Sequence, residues 1–202
     1  MDKKDFLFKY VEPAIRAKIK MDGEAMFSVT DQYTADKISL EIRKRIPDTV
    51  TSITDATACV GGNTMSFAKN FAKVAAIELD IMRYSYLKFN ITLLGLANVI
   101  AYHGNALEVC ETLDACDVLF LDPPWGGPLY KSKDKLMLFL SEQPLWDVCR
   151  KLASKCKYLA IKVPLNFDLV AFNEHVASFM ERIPSPTKFR KIQLLLYKIS
   201  IT

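Results

Sequence analysis

The sequence predicts an α/β fold in which a mostly parallel, seven-stranded sheet closes with an antiparallel C-terminal hairpin, preceded by a small helical extension. Three observations predict it. From residue 51 onward, short β-rich runs alternate with longer stretches of apolar residues at helical spacing, the pattern of βαβ units around a parallel sheet. The last two β-rich runs follow each other with no room for a helix, so they pair antiparallel. A chain of 202 residues that is 50% hydrophobic can bury about 70% of its unfolded surface in one core, and no Ser/Gly linker, low-complexity tract or internal repeat divides it.

Taken in order, residues 11–20 and 34–45 carry helical spacing, the second helix capped by Thr30 or Asp31. Strands are expected at 52–57, 74–78, 99–103, 118–122 and 158–163, with helices at 64–71, 83–94 and 145–153 among them. Residues 179–183 and 192–199 form the closing hairpin, with the segment PSPTKF turning between them. The expected organisation is an N-terminal extension over residues 1–50 and an α/β domain over residues 51–202.

The formal net charge of +4 is mild, but Lys3, Lys4, Lys9, Arg16, Lys18 and Lys20 crowd the N-terminus against Asp2, Asp5 and Glu12. Such a cluster meets phosphate or forms a solvated helix face, and the residues alone leave both open. No apolar run is long enough to span a bilayer, and the basic N-terminus lacks the apolar segment of a secretory signal, so a soluble, intracellular protein is expected. The five cysteines form no C-x-x-C pair, and His103 and His175 lie far apart in sequence. Reduced thiols are expected rather than disulfides or zinc, with no metal site. No long apolar patch demands a partner, so a monomer is expected.

In an open α/β sheet, ligands bind at the carboxyl ends of the strands, near the point where strand order reverses. The first strand runs into DATACVGGNT (55–64), where Asp55 closes the strand and Gly61 and Gly62 precede a helix opening near Asn63. Glycines there let the backbone turn sharply beside a ligand, and the helix N-terminus presents free N–H groups. The next strand ends in Glu78 and Asp80, which places a carboxylate to accept both ribose hydroxyls of a nucleoside. The loop lacks the G-x-G-x-x-G of a dinucleotide site. Acid, small-residue loop and second acid instead match the S-adenosylmethionine site of class I methyltransferases, which are Rossmann-like. Asn105, just past the third strand, can hydrogen-bond an adenine amine or form a turn.

The fourth strand runs into DPPWGGPLY (122–130). Asp122 and the carbonyl of Pro123 can both accept hydrogen bonds from an exocyclic amine, and Pro123 and Pro124 hold those acceptors in an extended geometry. An amine lone pair delocalised into a purine ring is a poor nucleophile. Acceptors that hold its hydrogens turn the nitrogen pyramidal and aim the lone pair, so the chemistry rests on orientation and electrostatics. Trp125 lies beyond the apolar strand and offers a flat face, on which a cationic base gains about 1 to 3 kcal/mol from stacking and cation–π attraction.

Together, FSVT (27–30), DATACVGGNT and DPPWGGPLY resemble the trimethylguanosine synthase family of RNA cap methyltransferases, and the resemblance runs from about Lys9 to the C-terminus. The longer pattern D-P-P-W-G-G-P-x-Y is specific, whereas D-P-P-W alone is shared with adenine amino-methyltransferases. The resemblance implies transfer of methyl groups from S-adenosylmethionine, leaving S-adenosylhomocysteine, to the exocyclic 2-amino group of a 7-methylguanosine RNA cap, giving dimethyl or trimethyl forms. It implies that Trp125 stacks on the methylated base while Asp122 and Pro123 address its amine. It further implies that Thr30, Asp55, Thr57, Gly61, Gly62, Asn63, Glu78, Asn105 and Asp122 hold the cofactor. Phe27, Ser28, Pro124, Trp125, Tyr130, Lys131 and Asn166 would contact the capped RNA, with residues 1–50 as a lid. By the same resemblance the setting is the nucleus; the residues alone do not separate nucleus from cytoplasm.

This chain departs from the family pattern in four places. The first loop of the family usually reads C-G-V-G-G, where Ala58 and Cys59 here precede Val60. Glu78 stands for the usual Asp, Asn105 for a common Asp, and Leu165 for the arginine of a P-R-N motif that meets phosphate. Lys131, Lys133 or the N-terminal lysines are the replacements that the sequence offers. Two alternatives stay open. An amino-methyltransferase acting on adenine or guanine in ribosomal RNA or DNA leaves FSVT and GGPLY unexplained, and a cap-binding module without catalysis is favoured only by the missing loop glycine.

Overall fold

The structure, a computed structural model, describes residues 3–200 except 186 and 188. Asp2 of the N-terminal charge cluster, and Pro186 and Lys188 of the expected closing turn, lie outside the described residues. In chain order the elements are α1 (Lys3–Leu7), α2 (Pro13–Arg16), α3 (Ala25–Ser28), α4 (Gln32–Arg43), β1 (Ser52–Asp55), α5 (Gly62–Asn70), β2 (Lys73–Glu78), α6 (Ile81–Leu93), β3 (Val99–His103), α7 (Ala106–Thr112) and β4 (Cys116–Leu121). A 3-10 helix (Gly127–Ser132) and a small ribbon, β5 (Phe139–Leu140) with β6 (Gln143–Pro144), lead to α8 (Leu145–Leu152). Then come a 3-10 turn (Ala153–Lys155), β7 (Cys156–Pro164), α9 (Leu169–Val176), β8 (Met180–Ile183) and β9 (Ile192–Ile199).

The seven-stranded sheet has the order β3-β2-β1-β4-β7-β9-β8. Pairing is parallel from β3 to β7 and antiparallel where β9 meets β7 and β8. The hairpin therefore inserts its second strand against the sheet and leaves its first at the edge. Burial explains the choice: Leu194, Leu195, Leu196 and Tyr197 are consecutive and buried, which suits a strand covered on both faces. Glu181 and Arg182 of β8 are not buried, which suits an edge.

Helices cover both faces. Leu107, Val148 and Phe172 bring α7, α8 and α9 onto one face with Leu119 and Ile161. Ile38, Phe67 and Leu87 bring α4, α5 and α6 onto the other with Ile53 and Phe120. The first fifty residues thus divide in their packing, because α4 belongs to the core of the sheet. The segment before it forms a small cluster of its own, in which Leu7, Phe8, Ile19, Ala25 and Val29 pack against Val60 and Met65. Asn90 ties this segment down: it accepts from the Lys20 N–H at 2.9 Å and donates to the carbonyls of Lys20 and Val60 at 2.9 and 3.0 Å.

Some elements differ from expectation. The helix expected over 11–20 is the single turn α2: Pro13 fills its first position, Glu12 caps it, and beyond Arg16 the chain bends to bury Ile19 in the small cluster. The short helices α7 and α9 were not anticipated, although Asn105 and Asp168 cap them through side-chain bonds to Leu107 and Ala171 N–H. Asp31, not Thr30, caps α4. The strands expected to reach Thr57 and Asp122 stop at Asp55 and Leu121, which takes Asp122 out of the ladder. Among the described residues no helix is long and apolar enough to cross a membrane.

Candidate active site

Because β1, β2, β3, β4 and β7 run parallel, their carboxyl ends share one edge of the sheet, and Asp55, Glu78, Asp122 and Lys162 collect there. Asp55 is fully buried. Burial pushes its carboxyl up to about 7, against hydrogen bonds from the Thr64 hydroxyl at 2.7 Å and the Thr57 N–H at 3.4 Å. Glu78 accepts the Cys59 N–H at 2.8 Å on Oε2 and the Asp80 N–H at 2.9 Å on Oε1. Its carboxyl too is raised by burial. Arg83 lies 3.7 Å from Glu78 Oε1 and reaches Glu24 of the N-terminal segment at 2.8 Å.

The loop between β1 and α5 is shaped by left-handed backbone. Cys59 has φ 51° and Gly61 φ 104°. Cys59 occupies the place where the family pattern has its first glycine, so the missing glycine falls on a residue that needs the conformation glycine favours. Burial pushes its thiol up to about 11, and its Sγ lies 3.6 Å from the Ser28 hydroxyl. Gly62 is closed over by Thr30, whose carbonyl oxygen would lie 2.5 Å from a Cβ built there.

Asp122 is held from three elements. Its N–H donates to Thr57 Oγ1 at 2.7 Å, while its Oδ2 accepts from Lys162 Nζ at 2.7 Å and from the Thr30 hydroxyl at 3.3 Å. Thr30 Oγ1 in turn accepts from Lys162 Nζ at 2.9 Å and from Asn63 Nδ2 at 3.0 Å. Asn63 Oδ1 is buried with no hydrogen-bond partner among the described residues. Sequence reading missed Lys162. Its signal was present: a lysine inside the apolar run LAIKVP that becomes β7 needs a buried partner.

Trp125 is half-buried rather than exposed. Its ring meets Tyr130 edge-on with centroids 5.1 Å apart, Lys162 Nζ lies 5.2 Å from the ring centroid, and its Nε1 is enclosed without a partner among the described residues. Pro123 is buried and Pro124 exposed. Asn166 braces the 3-10 helix, its Nδ2 donating to the carbonyls of Tyr130 and Lys133 at 2.8 and 2.7 Å. Lys131 is exposed on that helix. Asn105 caps α7, and its Oδ1 accepts from the Leu107 N–H and the Ser141 hydroxyl at 3.0 and 3.1 Å, so the oxygen offered to an adenine amine is already engaged. Phe27 is 85% exposed, with the Lys3 ammonium 3.4 Å from its ring centroid.

Three comparisons bear on this arrangement. A family model described as RNA cap guanine-N2 methyltransferase matches residues 50–195. Trimethylguanosine synthase of Schizosaccharomyces pombe is 31% identical over 160 residues, which are 75% of this chain and 65% of that protein. An uncharacterized protein of Acanthamoeba polyphaga mimivirus is 40% identical over 131 residues, which are 63% of this chain and 51% of that protein. The chain therefore spans between about half and two thirds of the length of these relatives. In fold it is similar to the precorrin-6y C5,15-methyltransferase from Geobacter metallireducens, with a TM-score of 0.62 at 12% identity, covering 90% of this chain and 95% of that one. The family match begins just before β1 and runs into β9, taking in every strand end described above, and on that match the chain belongs to the RNA cap guanine-N2 methyltransferase family.

Proposed function

We propose that this chain transfers methyl groups from S-adenosylmethionine to the exocyclic 2-amino group of a 7-methylguanosine RNA cap. The observation that carries the reading is Asp122 fixed at the end of β4 by Thr57, Thr30 and Lys162, with Trp125 three residues on in the same loop. The family match supports it.

The residues present fit the cofactor. A fully buried Asp55 whose carboxyl is raised to about 7 favours a cationic amino group beside it, and Asn63 Oδ1 is a buried acceptor without a partner among the described residues. Asp55 and the loop from Cys59 to Asn63 would hold the amino-acid portion, Glu78 the ribose, and Asn105 the adenine through its Nδ2. When bound, S-adenosylmethionine supplies an electrophilic methyl group.

The chain's own residues do the rest. Asp122 Oδ1 and the Pro123 carbonyl hold the hydrogens of the amine, which directs its lone pair, and Asp122 Oδ1 is the acceptor for the proton that the amine sheds. Trp125 stacks on the base, whose 7-methyl group makes it cationic and strengthens that contact. Phe27 and Ser28 approach from the N-terminal segment, where Ser28 reaches the cofactor loop at Cys59. Lys131, exposed on the 3-10 helix, and Lys133, which follows it, would meet the phosphates of the cap.

The test is to incubate the protein with labelled S-adenosylmethionine and either unmethylated or 7-methylated cap dinucleotide. Transfer to the 7-methylated cap alone is expected. Transfer to adenine or guanine in uncapped RNA or DNA would replace this reading, and tight cap binding without transfer would point to a binding module.

A further inference from the structure

We infer that Lys162 is a positioning residue, holding the Asp122 carboxylate by one oxygen so that the other is presented to the substrate amine. The inference rests on the methyl-transfer reading given above and adds to it a group that the family motifs do not include.

Strand register brings the pair together. Leu121 of β4 pairs with Ile161 of β7, so Asp122 and Lys162 are the next residues along two neighbouring parallel strands. They follow the alternation of Phe120 and Ala160, which face the α4–α6 side. Lys162 is 7% exposed between Ile161 and Val163, both fully buried, and among the described residues it is the only lysine or arginine that is buried. A buried ammonium is tolerated when its donors are used. Here two are: one meets Asp122 Oδ2 at 2.7 Å and one meets Thr30 Oγ1 at 2.9 Å, with the Trp125 ring centroid 5.2 Å away.

The consequence is a carboxylate with divided duties. Oδ2 is committed to Lys162 and Thr30, whereas Oδ1 has no hydrogen bond to any described residue. Two bonds to one oxygen, added to the backbone bond from Asp122 to Thr57, fix the plane of the carboxylate before substrate arrives. Thr30 comes from the segment between α3 and α4, so docking of the N-terminal residues helps complete the arrangement. The ammonium also places a positive charge among three acids gathered on one sheet edge, Asp55, Glu78 and Asp122, which repel one another.

The test uses the full chain as wild type, Lys162→Met, Asp122→Asn and the double variant. Turnover and KM are measured with 7-methylated cap dinucleotide, and Kd values for S-adenosylmethionine and for the cap are measured separately by calorimetry. Lys162→Met should lower kcat about a hundredfold, the scale of a small misplacement of a reacting group, and leave both Kd values at the wild-type level. In the Asp122→Asn background, measured by single turnover, the same substitution should cost nothing further, because its effect runs through the carboxylate.

Losses that multiply in the double variant, or Kd values that rise in step with the fall in kcat, would overturn the inference. Should Lys162→Met not fold, Thr30→Val removes the shared hydroxyl and should lower kcat with the cap Kd at the wild-type level, while the cofactor Kd is free to change because that hydroxyl also accepts from Asn63 of the cofactor loop; wild-type kcat in that variant counts against the arrangement. Wild-type transfer to the cap is the control for the underlying reading. Absence of transfer by the wild type defeats that reading, whereas wild-type transfer with unchanged kcat in Lys162→Met defeats the positioning role alone.

Discussion

The carbonyl oxygen of Thr30 lies where a side chain on Gly62 would have to go: a Cβ there would stand 2.5 Å from that oxygen and 2.6 Å from Val29 Cγ2. The glycine at the start of α5 thus serves the close approach of the chain's own N-terminal segment. Since the clash is with backbone, Gly62→Ala must push residues 29–30 away, at a cost of about 1 to 3 kcal/mol for overpacking. Because Thr30 also bonds Asp122, turnover should fall beyond what the stability loss explains. Urea unfolding together with steady-state kinetics checks both, and a variant with wild-type kcat would show that the contact of Thr30 with Asp122 is dispensable.

The buried carboxyl of Asp55 gives a pH dependence whose sign is fixed. Burial raises it from 3.8 to about 7, with repulsion from Asp122 and Glu78 adding to the effect and hydrogen bonds from Thr64 and Thr57 opposing it. The folded state therefore holds this proton more tightly than the unfolded chain. The stabilising contribution of the group is full below 3.8 and is lost as the pH rises through about 7. Asp55→Asn keeps the shape and removes the ionisation. Relative to wild type it should gain a few kcal/mol between about pH 4 and pH 8, while binding S-adenosylmethionine more weakly. Denaturation at both pH values measures the first effect and calorimetry the second; parallel stability curves would mean that Asp55 does not titrate in this window.

Cys59 holds φ 51° in the loop that presents its N–H to Glu78 Oε2. A side chain in left-handed backbone costs about 1 to 2 kcal/mol, and glycine adopts it freely at an entropic cost of about 0.5 to 1 kcal/mol. Cys59→Gly should therefore raise stability by up to about 1 kcal/mol, less whatever the half-buried thiol contributes against Ser28, and leave cofactor affinity intact. A drop in the denaturation midpoint would show that thiol packing outweighs backbone strain.

How far the sequence spoke depends on the range of the interaction. Strands β4 and β7 were legible because their apolar runs are buried on both sides, and Asp122 with Trp125 stood out because polar and aromatic residues followed such a run. The partner of Asp122 did not stand out, since only the register of β4 against β7 reveals that Lys162 is next to it. The order of the closing strands was hidden for the same reason: the lack of room for a helix between residues 179–183 and 192–199 shows that they pair, whereas burial on both faces decides which one goes inside. Asn105 was read from its place after the third strand as an adenine contact or a turn former, and Asn166 as a ligand contact on family likeness, and the structure shows each bound locally, as a helix cap and as a brace. Local use of that kind competes with ligand use, and the residue pattern left both open for Asn105.

Trp125 separates stacking from support. Its ring packs on Tyr130 and against both layers of the core, so Trp125→Ala removes apolar burial as well as the face proposed to stack on the base. Affinity for the 7-methylated cap should fall by about 1 to 3 kcal/mol, and much less for the unmethylated cap, which lacks the cationic ring. Trp125→Phe keeps an aromatic face and should recover part of the loss. Calorimetry with both caps checks this, and equal losses for the two would assign the effect to lost packing.

Phosphate recognition is the step for which the family arginine is replaced by Leu165, which is 57% exposed. The 3-10 helix beside it carries Lys131 and ends at Lys133, and Asn166 ties the helix to the end of β7 by its two bonds to Tyr130 and Lys133. That brace fixes where both ammonium groups can reach. If they meet the cap triphosphate, each contact releases counterions, and the slope of log K against log salt carries a share for each lysine. Lys131→Glu and Lys133→Glu should each weaken cap binding and flatten the salt slope by about one unit, with no change in S-adenosylmethionine affinity. Asn166→Ala, which keeps both charges and frees the helix, should weaken binding with the slope preserved. Calorimetric titrations at several salt concentrations distinguish the two patterns, and a slope unchanged in both lysine variants would move the phosphate contacts to the N-terminal lysines.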